Sequence, residues 1–141
     1  MLIRLTTEDI STNWALLRHT LREAHPKTIQ LDEEFYSGVL TKLNLGVMQA
    51  WAGYEDGELK GMVVTEILAD PYEHSNTLLI FAIYGAEPLT FEHWRKAYND
   101  LVSFAKLCNC KTITGFTDFE AVVANAKKFG ATHRHYIILE V

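Results

Sequence analysis

Tyr84, Asp118 and Glu66 are the side chains of this sequence best suited to moving a proton. A phenol and two carboxylates cover the acid and base roles that a transfer reaction needs, provided each stands within hydrogen-bond reach of a reacting atom. Tyr84 closes an apolar, β-forming run over residues 77–84, and Asp118 follows a second over 112–117. Where two such strands lie parallel, their carboxyl ends form the crevice in which open α/β sheets bind ligands. Glu66, inside the run 59–68, suits a base acting through a water; Glu73 and His74 lie on a polar connection. Each has a plain structural alternative. A tyrosine at a strand end packs its ring and hydrates its hydroxyl, an aspartate before a helix caps it, and polar groups on sheets and loops are solvated.

Other spacings carry less chemistry. His133-x-His135 puts two imidazoles on one face of a strand, but a zinc site takes four ligands and no partner lies near them in sequence, so no metal is assigned. Cys108 and Cys110 are too close for an unstrained disulfide and have no other cysteine to pair with. They read as small buried residues of a protein from a reducing, cytoplasmic compartment. Phe91, Trp94 and Tyr98 recur at helical spacing and read as core.

Composition narrows the class. The chain has 141 residues, 48% hydrophobic and 22% charged, which suits one globular domain over residues 1–141. Thirteen Lys and Arg against 18 Asp and Glu give a net charge of −5, which argues against nucleic acid as a partner. The longest apolar stretch, 78–84, is too short to span a bilayer, and Arg4, Glu8 and Asp9 interrupt any secretory signal at the start.

The elements that must position these residues follow from period and punctuation. Residues 2–5 read as a strand. Thr6-Thr7-Glu8-Asp9 opens a helix whose apolar face, Ile10, Trp14, Leu17 and Leu21, runs to about Ala24, where His25-Pro26 stops it. Asp32 caps a second helix that ends at Gly46. Runs over 47–54 and 59–68 flank Asp56-Gly57, a hairpin signal. The near-continuous apolarity of 77–84 marks a strand covered on both faces. Thr90 caps a long helix ending before Asn109, 112–117 is a strand, 119–129 a helix closed by Gly130, and 132–141 a final strand. The order is that of a three-layer α/β domain with a mixed sheet, mostly antiparallel, containing one parallel pair.

That order resembles the GNAT superfamily of acyl-CoA-dependent N-acyltransferases over nearly the whole chain. The resemblance is carried by Ile3-Arg4 with Thr7-Glu8-Asp9-Ile10, by Gly57-Glu58-Leu59-Lys60-Gly61, by Phe104-Ala105-Lys106-Leu107 with Cys110-Lys111-Thr112-Ile113, and by Ala126-Lys127-Lys128-Phe129-Gly130-Ala131. It implies that the fourth and fifth strands splay apart, and that the backbone of Phe81, Ala82 and Ile83 holds the pantetheine of acetyl-CoA or another acyl-CoA. Gly85, Ala86, Thr90 and His93 would then serve the pyrophosphate. In the family that loop carries a basic residue and Gly-x-Gly, whose N–H groups cradle the phosphates at a helix N-terminus. Here it reads Gly85-Ala86-Glu87-Pro88-Leu89-Thr90-Phe91-Glu92: Pro88 lacks an N–H, and Glu87 and Glu92 oppose the ligand's charge. The family's acid, a tyrosine near the end of the next helix, is also missing, since that position falls on Ala126 or Asn125.

Two functions are therefore expected. One is a divergent acyltransferase with a small-molecule or protein amine as acceptor, Tyr84, Asp118 and Glu66 as candidate catalytic residues, and no metal. The other is a non-catalytic GNAT-like domain acting through a protein partner or as a homodimer. Residues 125–141 bear a loose similarity to GNAT-like proteins of short-tailed phages, which favours the latter.

Overall fold

The computed structural model describes residues 1–70, 74–135 and 137–141. Strand β1 (Leu2–Arg4) leads into α1 (Thr7–Thr12), which is opened by a capping box. The Thr6 hydroxyl accepts from the Asp9 N–H, while the Asp9 carboxylate accepts from the Thr6 N–H. The single helix expected up to Ala24 is in fact two. Asn13 (φ −104°, ψ 19°) leaves helical geometry and donates its side-chain amide to the Asp9 carbonyl at 2.8 Å, so α2 (Trp14–Ala24) starts afresh. A short amide that bonds the preceding turn competes with the helix ladder in this way. Helix α3 (Glu33–Leu45) is capped by the Asp32 carboxylate and closed by Gly46 in the left-handed conformation.

The sheet follows. β2 (Met48–Glu55) and β3 (Glu58–Asp70) form the expected hairpin, with positive φ at both Asp56 and Gly57 as a type I′ turn requires. β4 (Ser75–Gly85) returns antiparallel to β3. Helix α4 (Phe91–Leu107) crosses over to β5 (Cys110–Gly115), parallel to β4, and α5 (Glu120–Lys128) ends the regular structure. Strand order is β1-β2-β3-β4-β5. β3 and β4 run longer than the apolar pattern indicated, to Asp70 and from Ser75 in the polar connection. Glu73 lies outside the described residues, while His74 has φ 49°.

Two cores hold the layers together. Leu17, Leu21, Val39 and Leu43 of α2 and α3 pack on Met48, Ala50, Met62, Val64 and Ala82, while Leu101 and Ala105 of α4 pack on Trp51, Val63 and Leu78 on the opposite face. A buried chain of hydrogen bonds pins the hairpin to the end of α3. The Trp51 indole donates to the Thr65 hydroxyl, which donates to the Gln49 carboxamide oxygen, whose own NH2 donates to the Gly46 and Val47 carbonyls.

Three expectations need correction. The final strand does not form: among the described residues of 132–141 none is in a strand, and Ile137, Ile138 and Leu139 are at least 74% exposed. Alternating apolar residues make a segment competent to pair, but a strand needs a neighbour to bond to, and here none is laid against it. Phe91 and Tyr98 are not core; both stack on Phe129, at 5.3 and 4.4 Å between ring centroids, and so fasten α5 to α4. The cysteines are free and half-buried.

The register contains the feature that shapes the site. Val64 opposes Ala82 but Thr65 opposes Ile80, so Phe81 is a β-bulge with no partner on β3. Pairing with β5 stops at Ile80 and Gly115. At the far end of β4, a Cβ on Gly61 would sit 2.5 Å from the Tyr84 carbonyl oxygen, so the two backbones approach as only glycine allows. Gly61→Ala should therefore lower stability by about 1–3 kcal/mol, as forced overpacking does. Gly38→Ala, in mid-helix with nothing within 4 Å of the added carbon, should raise it by about 0.4–1 kcal/mol. Urea unfolding of both variants checks the pair; equal effects would contradict the register.

Candidate functional site

Beyond Ile80 the end of β4 has a strand neighbour on one side only, β3, which pairs with it again from Ala82. The β5-facing backbone groups of Phe81, Ala82 and Ile83 have no strand partner among the described residues. Such an edge can pair with an extended, amide-bearing chain, and an N–H directed at a carbonyl oxygen can stabilise charge developing on it. Ala82 packs into the α2/α3 core and Ile83 against the α4 core, so the side chains on both faces fix the edge between them.

The loop after β4 is tightly tied. Ala86 N–H donates to the Lys60 carbonyl at 3.0 Å, and a Cβ on Gly85 would meet the Glu87 carbonyl oxygen at 2.8 Å. Thr90 caps α4 as expected, accepting from the His93 N–H at 3.3 Å. His93 completes a reciprocal box: its Nδ1 accepts from the Thr90 N–H, which leaves the ring proton on Nε2, directed at the Glu55 carboxylate. His93 is thus committed to the cap and to Glu55 rather than held free for a phosphate.

The charges that were expected to repel an anion all have partners. Glu87 is 2.6 Å from Lys60, which also holds Glu58 at 3.0 Å. Glu92 makes a two-pronged contact with Arg95, and Glu55 takes His93 with Lys96 at 3.6 Å. Hydrogen bonds from Lys60, Arg95 and the His93 ring hold the carboxyls of Glu87, Glu92 and Glu55, in that order, below the usual range, and the two carboxylates around Lys60 push its ammonium further up.

The proposed proton carriers are dispersed. The Tyr84 hydroxyl lies 3.3 Å from His19 Nε2 of α2, with the rings edge to face at 5.1 Å. Asp118 is exposed and does not occupy the cap position of α5, which falls to Phe119 with no side-chain cap. Glu66 is buried, its carboxylate 2.7 Å from the Lys42 ammonium. It stands in a cavity of about 480 Å³ beneath α3, lined among others by Asp32, Phe35, Lys42 and the bulged Phe81. A second cavity, of about 430 Å³, lies between α1 and the end of α3. Neither is lined by Tyr84, Thr90, His93 or Asp118. His133 and His135 sit 5.6 Å apart and exposed, and no group of three metal-ligating side chains occurs among the described residues. No helix among them is long and apolar enough to cross a membrane.

Sequence reasoning missed His19 and His25. His25 reads only as the residue before a proline, yet its ring lies 5.3 Å from Phe81 and 5.9 Å from Phe35. No local signal pairs it with residues so far along the chain.

The Glu87 pair gives a pH prediction. Its carboxyl titrates lower in the folded than in the unfolded chain, so the pair's contribution is complete above the unfolded value near pH 4.3 and is lost as pH falls through the folded one. Wild type should exceed E87Q in urea midpoint at pH 7, and the difference should close below pH 4; a difference that stays constant with pH would refute the pairing.

No protein-family model matches this chain, and no curated protein matches it in sequence. Solved structures do match in shape. A predicted acetyltransferase of Clostridium acetobutylicum, determined with acetyl-CoA, is 19% identical, with 99% of this chain and 95% of that one aligned at a TM-score of 0.77. A probable acetyltransferase gives 0.77 at 13% identity, covering 100% and 97%. An aminoglycoside acetyltransferase from an uncultured soil metagenomic sample, in complex with sisomicin, gives 0.72 at 12%, covering 100% and 93%. The five-stranded mixed sheet with its parallel β4–β5 pair superposes on these solved acetyltransferase structures along its whole length and shares their fold.

Proposed function

We propose that this protein is an acyl-CoA-dependent N-acyltransferase that acts on a small-molecule amine. The observation that carries the reading is the release of β4 from β5 after Ile80, next to the bulge at Phe81. It leaves an unpaired backbone edge next to a stretch, 76–80, that is paired on both sides. The backbone of Phe81, Ala82 and Ile83 would bind the pantetheine amides and direct an N–H at the thioester oxygen. Gly85, Ala86 and the α4 terminus at Thr90 would meet the diphosphate. The acyl-CoA supplies an activated carbonyl; the chain's part is to orient it and manage protons. Tyr84 is the candidate to return a proton to the departing sulfur, with Asp118 as the alternative.

The cavity beneath α3 is the acceptor's route. It reaches Phe81 from the helix side, and its lining holds Asp32, Glu34 and Glu66 against one ammonium, Lys42. That balance favours a cationic amine. The acetyl-CoA and sisomicin complexes of proteins with this fold are consistent with both halves of the reading.

One observation favours the other reading, a domain of this fold without CoA chemistry. Lys60, Arg95 and Lys96, the cations around the phosphate loop, are already engaged by Glu87, Glu92 and Glu55. A diphosphate has to compete with these pairs, so wild-type affinity for acetyl-CoA should be weak. The E87Q/E92Q variant releases Arg95 and leaves Lys60 with Glu58 alone, and it should bind tighter. At about 0.3–1 kcal/mol for each charge near a helix start, the gain is about two- to five-fold for each residue, larger at low salt than at high. Titration calorimetry with acetyl-CoA tests both points. Saturable binding that tightens in the variant supports the acyltransferase, and no saturable heat from either protein supports the non-catalytic domain.

A further inference from the structure

His25 occupies a position that its role in ending α2 does not fully explain. The residue before a proline is pushed out of helical geometry, and His25 is extended at φ −106°, ψ 148°. Its ring turns back so that Nδ1 lies 2.6 Å from the Leu21 carbonyl oxygen, one of the acceptors that a helix end leaves unpaired. A carbonyl oxygen can only accept. In the neutral ring Nδ1 therefore carries the proton, and Nε2 is left with the lone pair.

The ring's place is also fixed. Arg22 ties down the loop that follows, donating to the Ile29 and Pro26 carbonyls at 2.9 Å each and to His25's own carbonyl at 3.4 Å. On its other side the imidazole packs against Phe35 and Phe81, which themselves lie 6.2 Å apart, stacked within 20° of parallel. Both phenyl rings line the cavity beneath α3, and Phe81 is the bulged residue of β4. A half-buried imidazole with a set tautomer thus packs directly against two phenyl rings that line the acceptor's route, one of them on the open strand edge. The charged group nearest it is Arg22 on its own helix, while Asp32, Glu34, Lys42 and Glu66 line the cavity beyond the two phenyl rings.

We infer that His25 is the general base that prepares the acceptor amine. The inference rests on the acyltransferase reading and adds a residue to it. An ammonium has no lone pair, so the acceptor must first give up a proton, and Nε2 receives it. The amine nitrogen then bonds to the thioester carbonyl carbon, and the carbon–sulfur bond breaks with its electron pair going to sulfur. The departing thiolate takes a proton from Tyr84, which the second nitrogen proton replaces, giving amide and free thiol, and His25 returns its proton to solvent.

Imidazole 15N spectra of the wild-type protein, with and without acetyl-CoA, test this together with His25→Asn. Asparagine can still donate to the Leu21 carbonyl but has no counterpart of Nε2. We expect the Nδ1–H tautomer and an Nε2 resonance that moves when acetyl-CoA is added. H25N should keep the wild-type melting temperature and acetyl-CoA affinity while losing about 10²-fold or more in acetyl transfer to sisomicin or spermidine as probe amines, in kcat rather than in KM for acetyl-CoA. An Nε2–H tautomer, an Nε2 signal that stays still while the Phe81 amide shifts, or undiminished transfer by H25N would overturn the assignment. If acetyl-CoA moves neither the His25 nor the Phe81 signals, the acyltransferase reading falls with it.

Discussion

Strand β4 is held by β3 along almost its whole length but by β5 only as far as Ile80, and the site depends on that difference. A parallel pair joined through a helix must end somewhere, and backbone groups past the end have to find other partners or water. Here the end coincides with the bulge at Phe81. The bulge bends the strand and turns one phenyl ring toward α3 while the backbone continues to Gly85. The Gly61–Tyr84 approach then anchors the far end of the strand, so the open stretch is bounded by fixed points on both sides. A rigid edge of this kind is prepared for a ligand without rearranging.

Electrostatics around the edge works in two directions. On the α4 side the chain matches each carboxylate near the phosphate loop with a cation, which stabilises the loop but leaves few unpaired positive charges. On the α3 side the cavity holds more carboxylates than cations. An anionic cofactor and a cationic acceptor would thus approach β4 from opposite faces, each meeting surroundings of different charge. The ion pairs by the loop are exposed, so salt and pH modulate them easily.

How far this was legible in the sequence depended on the range of the interactions. The Asp56-Gly57 turn and the Thr90 cap were readable because a few neighbouring residues determine them. The apolar run ending at Tyr84 revealed an interior strand, and its helical crossover revealed the parallel pair. The bulge was invisible, because register depends on the partner strand. Glu87 was readable as a negative charge in a phosphate loop, but its neutralisation by Lys60 joins residues 27 positions apart. His25 was hidden for the same reason, since its aromatic partners come from α3 and β4. The segment 132–141 misled in the opposite sense: its composition favours a strand, and composition does not supply the neighbour that a strand requires.

The central claim is that acyl-CoA binds along the released edge of β4, and amide hydrogen exchange with and without acetyl-CoA tests it most directly. The account predicts that amides within 81–83 slow markedly when acetyl-CoA is present, while those of 76–80, already bonded on both sides, change little. Protection confined to other elements, with 81–83 exchanging as before, would contradict it.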